Sequence, residues 1–227
     1  MNLVERIQSV RLSIRQLESS YGRQPGSVEV LAVSKTRTSH DINQAFAAGF
    51  SNFGENYIQE ALVKIQALDA LPICWHFIGA IQSNKAQAIA QNFAWVHGVC
   101  RKKIAQLLND ERPPSLPPLN VCIQVNIDEE DSKAGIQPEC VAALAADIIR
   151  LPRLHLRGLM VIPKPAQDEQ QQYLTFLKVT ILLQELNTQM SLNMDTLSMG
   201  MSDDLPAAIR AGSTMVRVGR KIFGERC

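Results

Sequence analysis

The sequence predicts an α/β fold, a closed (β/α)8 TIM-like barrel with an extra helix at its N-terminus. Two observations carry this. Eight short apolar, β-branched segments alternate with amphipathic helical segments along the chain, and such alternation argues for a parallel sheet. The length, 227 residues, suits one α/β barrel. The competing architecture is a doubly wound open sheet, which would need another fate for two of the short strands.

The elements are taken in chain order. Residues 2–20 repeat Leu3, Ile7, Val10, Ile14 and Leu17 at spacings of three and four, a helix. "YGRQPG" breaks it. The first strand is Val28–Ser34. A helix over 39–48 comes next, with Ser39 as its expected N-cap and Gly49 as its stop. "NFGEN" is a strand and 57–68 a helix. "WHFIG" is a strand, and Ser83 is expected to cap the next helix. "WVHGV" is a strand, with a helix to about Asp110. "RPPSLPP" connects to the strand "NVCIQVN", and 138–149 is a helix. "LRGLMVI" precedes a long helix over 169–189. "DTLSMG", a helix over 204–211 and the last strand "TMVRVG" complete the pattern. The expected organisation is one domain over 1–227, with the helix in 1–22 and the barrel in 28–224.

Composition narrows the function. The chain is 46% hydrophobic and 20% charged with a formal net charge of +1, so no basic field invites nucleic acid or an anionic membrane. No apolar run approaches the length of a membrane span, and the charged N-terminus does not read as a signal peptide. Five cysteines (Cys74, Cys100, Cys122, Cys140 and Cys227) form no C-x-x-C pair. A reducing, cytoplasmic setting is expected, with Cys122 as a small core residue. His40, His76, His97 and His155 have no metal-ligand spacing, so no metal site is expected. His76 and His97 read as core or barrel-lining residues.

Chemistry in a barrel gathers at the C-terminal ends of the strands, and phosphate is often held by the loops after strands seven and eight. "LSMGMSDD" places Gly200 between the hydroxyls of Ser198 and Ser202, just before a helix, and "VRVG" adds Gly219. Tight turns explain either loop alone; both in adjacent strands favour an anion site. Arg217 shares a strand face with Gly219. It needs either an acid such as Glu55 or a ligand, because an unpaired buried charge is costly. Lys35 ends the first strand in register with Leu31 and Val33. A lysine among apolar walls has its pKa lowered and attacks carbonyls to form a Schiff base. Pyridoxal 5'-phosphate joins these features: an aldehyde for Lys35, a phosphate for the glycine loops and a ring nitrogen for a third group.

The motifs "AVSKT", "FGENYIQE", "WHFIGAIQSNK", "DSKAGI", "RGLMVI", "LSMGMSDD" and "STMVRVG…IFG" resemble, in order, the pyridoxal-phosphate homeostasis protein family, single-domain relatives of the alanine racemase barrel. The resemblance runs from Val28 to Gly224. It implies that Lys35 carries the cofactor as an internal aldimine, and that Ser198, Met199, Gly200, Thr214 and Gly219 line the phosphate site. It also implies that Arg217 faces the pyridine nitrogen and that Asn56 lies near the ring. Arginine is always a donor, so the nitrogen facing it keeps its lone pair and the ring is a weaker electron sink. Two departures stand out: Arg220 where the family usually has Thr or Ser, and Arg37-Thr38 where Lys-Pro is common.

Three functions remain open: a carrier that holds the cofactor reversibly, an amino-acid racemase, and a Schiff-base enzyme acting on a phosphorylated sugar. Racemases of this type carry a second domain with a catalytic tyrosine. This sequence stops at Cys227, and its tyrosines (Tyr21, Tyr57 and Tyr173) all precede the last strand. The expectation is therefore a non-enzymatic, monomeric carrier in the cytoplasm. PLP-dependent apoenzymes are its candidate partners.

Overall fold

The computed structural model describes residues 1–128 and 134–225. Lys133, part of "DSKAGI" and Cys227 lie outside the described residues. Eight parallel strands close a barrel in the order of the chain: β1 (Glu29–Val33), β2 (Asn52–Glu55), β3 (Cys74–Phe77), β4 (Trp95–Val99), β5 (Leu119–Val125), β6 (Leu154–Val161), β7 (Thr196–Ser198) and β8 (Met215–Val218). Closure is made where β8 pairs with β1, from Glu29 opposite Met215 to Ala32 opposite Val218. That seam excludes the open sheet.

The helices are α1 (Leu3–Ser20), α2 (Ser39–Ala47), α3 (Ile58–Ala67), α4 (Ala86–Asn92), α5 (Lys102–Glu111), α6 (Val141–Ile148), α7 (Glu169–Met190), α8 (Leu205–Arg210) and α9 (Arg220–Phe223). Two cap expectations need correction. Thr38, not Ser39, caps α2, in a capping box with Asp41. The departure at position 38 thus supplies a helix cap. Ser83 opens a 3-10 turn over Ser83–Lys85 that precedes α4, and no side chain caps it.

The N-terminal helix completes the outer ring. Among the described residues, β8 is followed by the four-residue α9. Ile7, Val10 and Ile14 of α1 are buried, and α1 packs against α8, α9 and α2. Arg6 Nε donates to the Ile222 carbonyl at 2.8 Å and Arg11 to the Gly49 carbonyl at 2.7 Å. Its buried Glu18 accepts the backbone N–H groups of Gly26 (2.9 Å) and Val28 (2.8 Å), steering the chain into β1.

One apolar core lies between strands and helices, including Ala32, Phe53, Phe77, Val96, Val121, Leu159 and Val216. The barrel interior is different: alongside Leu31, Cys122 and Met215 it buries His76, His97, Ser198 and Arg217. Side chains alternate between these two environments with the two-residue period of a strand. Thus Ala32 joins the outer core while Leu31 turns inward.

Candidate functional site

A cavity of about 520 Å3 opens at the C-terminal ends of the strands. Lys35, Asn56, Arg217 and Gly219 all line it, together with Val33 and Ile78. The chain segments after β1, β2, β7 and β8 therefore converge as the strand-end reading expects.

Lys35 sits on an over-determined turn. Thr36, the next residue, has φ 65°, a left-handed conformation that a β-branched side chain adopts only under strain. Its N–H donates to Glu60 of α3. Ser34, fully buried, donates its hydroxyl to Glu55. Lys64 Nζ reaches the Ser34 carbonyl (2.8 Å), Glu55 (2.8 Å) and Glu60 (2.6 Å) at once. The residues on either side of Lys35 are thus held by one buried ion cluster. This was not legible in the sequence, where Lys64 reads as an ordinary helix lysine.

Among the described residues, Arg217 has no carboxylate as a hydrogen-bond partner. It donates through Nη1 to the carbonyl of Ser198 and to its hydroxyl (2.9 Å), and through Nη2 to the Val161 carbonyl (2.8 Å). Burial pulls its pKa down to about 10, with Asp204 acting in the opposite direction. The guanidinium therefore stays protonated at neutral pH. Glu55, expected as a possible partner, belongs to Lys64 instead. Burial raises the Glu55 carboxyl's pKa, and hydrogen bonds from Lys64 and Ser34 oppose that shift. Engaged beneath the turn, Glu55 is not placed to serve as the acid–base group a sugar enzyme would need.

The residues expected at the phosphate site are placed apart. The wall after β7 is made by Met201, Ser202 and Asp203. Ser198 points into the barrel beneath Arg217, and Met199 alternates outward into the apolar core. Gly200 makes the turn (φ 96°), and a Cβ there would come 2.6 Å from the Cβ of Ala208. Its carbonyl accepts the Arg217 N–H at 2.9 Å. Thr214 lies at the other end of the barrel. It precedes β8, its hydroxyl accepts the Leu197 N–H at 2.8 Å, and it lines a separate hollow with Glu29, Trp95 and Arg157. Four residues separate it from Gly219 along an extended strand, a rise of roughly 16 Å.

The rim carries both sequence departures. Arg220 lines the cavity and pairs with Asp203 at 2.6 Å. Arg37 also lines it, donating to the carbonyls of Gly224 and Glu225 and so tying the β1 turn to the C-terminal segment. Gly79 permits the neighbouring approach of Asn56, since a Cβ there would overlap the Asn56 carbonyl oxygen. The buried Oδ1 of Asn56 has no hydrogen-bond partner among the described residues.

Fold and mouth together define a barrel of the alanine racemase type, and the comparisons agree. The profile of the alanine racemase N-terminal domain family matches residues 7–227. A pyridoxal phosphate homeostasis protein of Pseudomonas aeruginosa is 52% identical over 224 residues, 99% of this chain and 96% of that protein. One from Escherichia coli K12 is 46% identical over 228 residues, 99% and 97% of the two chains. The structure of PipY from Synechococcus elongatus with PLP bound superposes with a TM-score of 0.85 at 34% identity, covering 98% of this chain and 100% of that one. An alanine racemase of Corynebacterium glutamicum shares the fold at a TM-score of 0.67 and 15% identity, and the match spans 61% of its length. The chain belongs to the pyridoxal phosphate homeostasis protein family.

Proposed function

We propose that this protein binds pyridoxal 5'-phosphate reversibly in the mouth cavity and takes part in maintaining the supply of that cofactor, without turning over a substrate. The observation that carries the reading is that Lys35 and Arg217 line one cavity. It needs a ligand with a carbonyl for the amine and an acceptor for the guanidinium. The size of the cavity suits a small cofactor. The unmatched Asn56 Oδ1 supplies a waiting acceptor for a ligand hydroxyl. Ser202, Gly219 and Arg220 offer a hydroxyl, a close backbone approach and a cation for a phosphate, in place of Ser198, Met199, Gly200 and Thr214.

The cofactor would supply an aldehyde, and Lys35 would supply the amine that meets it. The chain's own residues set the chemistry open to it. Arg217 offers only donors, so the ring nitrogen before it stays unprotonated and carbanion chemistry is disfavoured. The turn held by Lys64 orients Lys35. The known relatives are named for homeostasis of the cofactor, in keeping with a carrier.

The reading extends to a monomer in the cytoplasm that hands cofactor to PLP-dependent apoenzymes. Light scattering tests the first part, and transfer to an added apoenzyme tests the last. The central experiment is borohydride reduction of cofactor-loaded protein followed by peptide mass mapping. The pyridoxyl mass is expected on Lys35. Its appearance on another lysine, with the Lys35 peptide unmodified, overturns the assignment. Chiral chromatography after incubation with L-alanine tests the carrier role, and D-alanine formed at about one turnover per second or faster contradicts it.

A further inference from the structure

A single chain of polar side chains runs through the barrel from one face to the other. At the N-terminal face, Asn52 Nδ2, at the start of β2, donates to Glu29 of β1. Asn52 Oδ1 meets His76 Nε2 at 3.1 Å. His76 Nδ1 meets His97 Nε2 at 3.0 Å, and His97 Nδ1 meets the Ser198 hydroxyl at 2.8 Å. Ser198 in turn accepts from Arg217, which lines the mouth cavity.

One direction satisfies every bond in this chain, and in it the Cys74 Sγ 3.4 Å from His76 Nε2 is a second, weak acceptor for the same proton. A carboxylate only accepts, so Asn52 must turn its NH2 to Glu29 and its carbonyl oxygen to His76. That oxygen also only accepts, so His76 carries its proton on Nε2. Burial lowers the His76 pKa to about 3 and holds His97 well below the usual range, with His76 and Arg217 adding to the effect. Both rings are therefore neutral, with one proton each. His76 Nδ1 then accepts from His97 Nε2–H, and His97 Nδ1 accepts the Ser198 hydroxyl proton. The Ser198 oxygen is left to accept from Arg217. Reversing the chain would set two acceptors facing each other between His76 and Asn52, and only the weak thiol donor of Cys74 would be left for His76 Nε2. Trp95 holds His76 in place, stacked at 5.4 Å and 7° between ring planes.

We propose that Glu29 and Asn52, on the face of the barrel opposite the cavity, are positioning residues for Arg217. Through His76, His97 and Ser198 they aim the Ser198 hydroxyl proton away from Arg217, and so strengthen the acceptor that holds the guanidinium together with the Ser198 and Val161 carbonyls. Hydrogen bonds aligned head to tail polarise one another, so the chain links the Glu29 carboxylate to the Arg217 cation across the barrel. Its effect on the cofactor rests on the proposed cofactor-binding role of the cavity; the bond directions do not.

Nitrogen-15 NMR of the cofactor-free protein at neutral pH reads the tautomers directly. Wild type is expected to show His76 and His97 both as neutral Nε2–H rings. Asn52→Leu removes the anchor and should give mixed or Nδ1–H rings. Asn52→Gln, which keeps both an oxygen for His76 and an NH2 for Glu29, should restore the wild-type pattern. Glu29→Leu alters an exposed residue and should reproduce the Asn52→Leu pattern without touching the interior. In protein titrated with pyridoxal phosphate, Asn52→Leu should shift the absorption maximum and weaken binding by about three- to tenfold, the worth of one neutral hydrogen bond, and Asn52→Gln should recover both. Nδ1–H rings in wild type overturn the proposal, as do wild-type tautomers in both leucine variants. An unchanged cofactor spectrum and affinity in Asn52→Leu also overturn it. If wild type takes up no pyridoxal phosphate, the cofactor reading fails and the tautomers alone decide the relay.

Discussion

Lys64 Nζ lies 2.8 Å from Oε1 of Glu55, and both side chains are almost wholly shielded from water. The pair sits under the turn that carries Lys35. Removing one member leaves the other buried without its partner, a change that costs about 3–5 kcal/mol in comparable sites. Lys64→Met is expected to lower the unfolding free energy by about that amount in urea titrations. A loss below about 1 kcal/mol would show that the cluster contributes little.

The same pair gives a pH dependence of defined sign. Burial raises the folded-state pKa of Glu55 above its ordinary value, so folding favours the protonated acid in the window between the two values. The contribution of this group to stability is therefore greatest below the unfolded pKa and falls as pH rises through the folded pKa. Glu55→Gln removes that titration. The stability of wild type relative to Glu55→Gln should decline from pH 4 toward neutrality, as read from urea midpoints at each pH; a rise would reverse the assigned sign.

Thr36 holds a left-handed conformation at φ 65°. Glycine enters this region freely, so Thr36→Gly should be stable to within about 1 kcal/mol of wild type or better. Thr36→Pro cannot adopt the angle and loses the N–H that Glu60 accepts. It should destabilise the protein by about 3 kcal/mol or more and impair labelling of Lys35 in the borohydride experiment. Thermal melts with peptide mapping separate the two effects.

Arg220 and Asp203 pair at the exposed rim, where an ion pair is worth no more than about 1 kcal/mol. Asp203→Asn should leave the melting temperature nearly unchanged while freeing Arg220 for a phosphate, tightening pyridoxal phosphate binding about two- to fivefold. Arg220→Glu should weaken it strongly, and Arg220→Thr only modestly. Equal affinities in all of these proteins would place Arg220 outside the site.

The sequence by itself determined the elements and their order, because periodicity and turn chemistry are local. Alternating apolar segments place the strands, Gly49 stops α2, and strand parity sets Lys35 beside Leu31 and Arg217 beside Gly219. In the folded chain Val33 and Lys35 line one cavity with Arg217 and Gly219. Tertiary structure alone decided which neighbours meet. That α1 packs on α8 and α9, from the opposite end of the chain, is a matter of barrel closure. Ser198 and Ser202 are indistinguishable in the motif, yet the turn at Gly200 sends one beneath Arg217 and the other to the cavity wall. Thr214 belongs to the same motif as Arg217, but an extended strand carries it to the far end of the barrel. Glu55 found Lys64 rather than Arg217. The partners of a buried charge are set by barrel closure, which joins side chains from strands distant in sequence and leaves no periodic trace in any one of them.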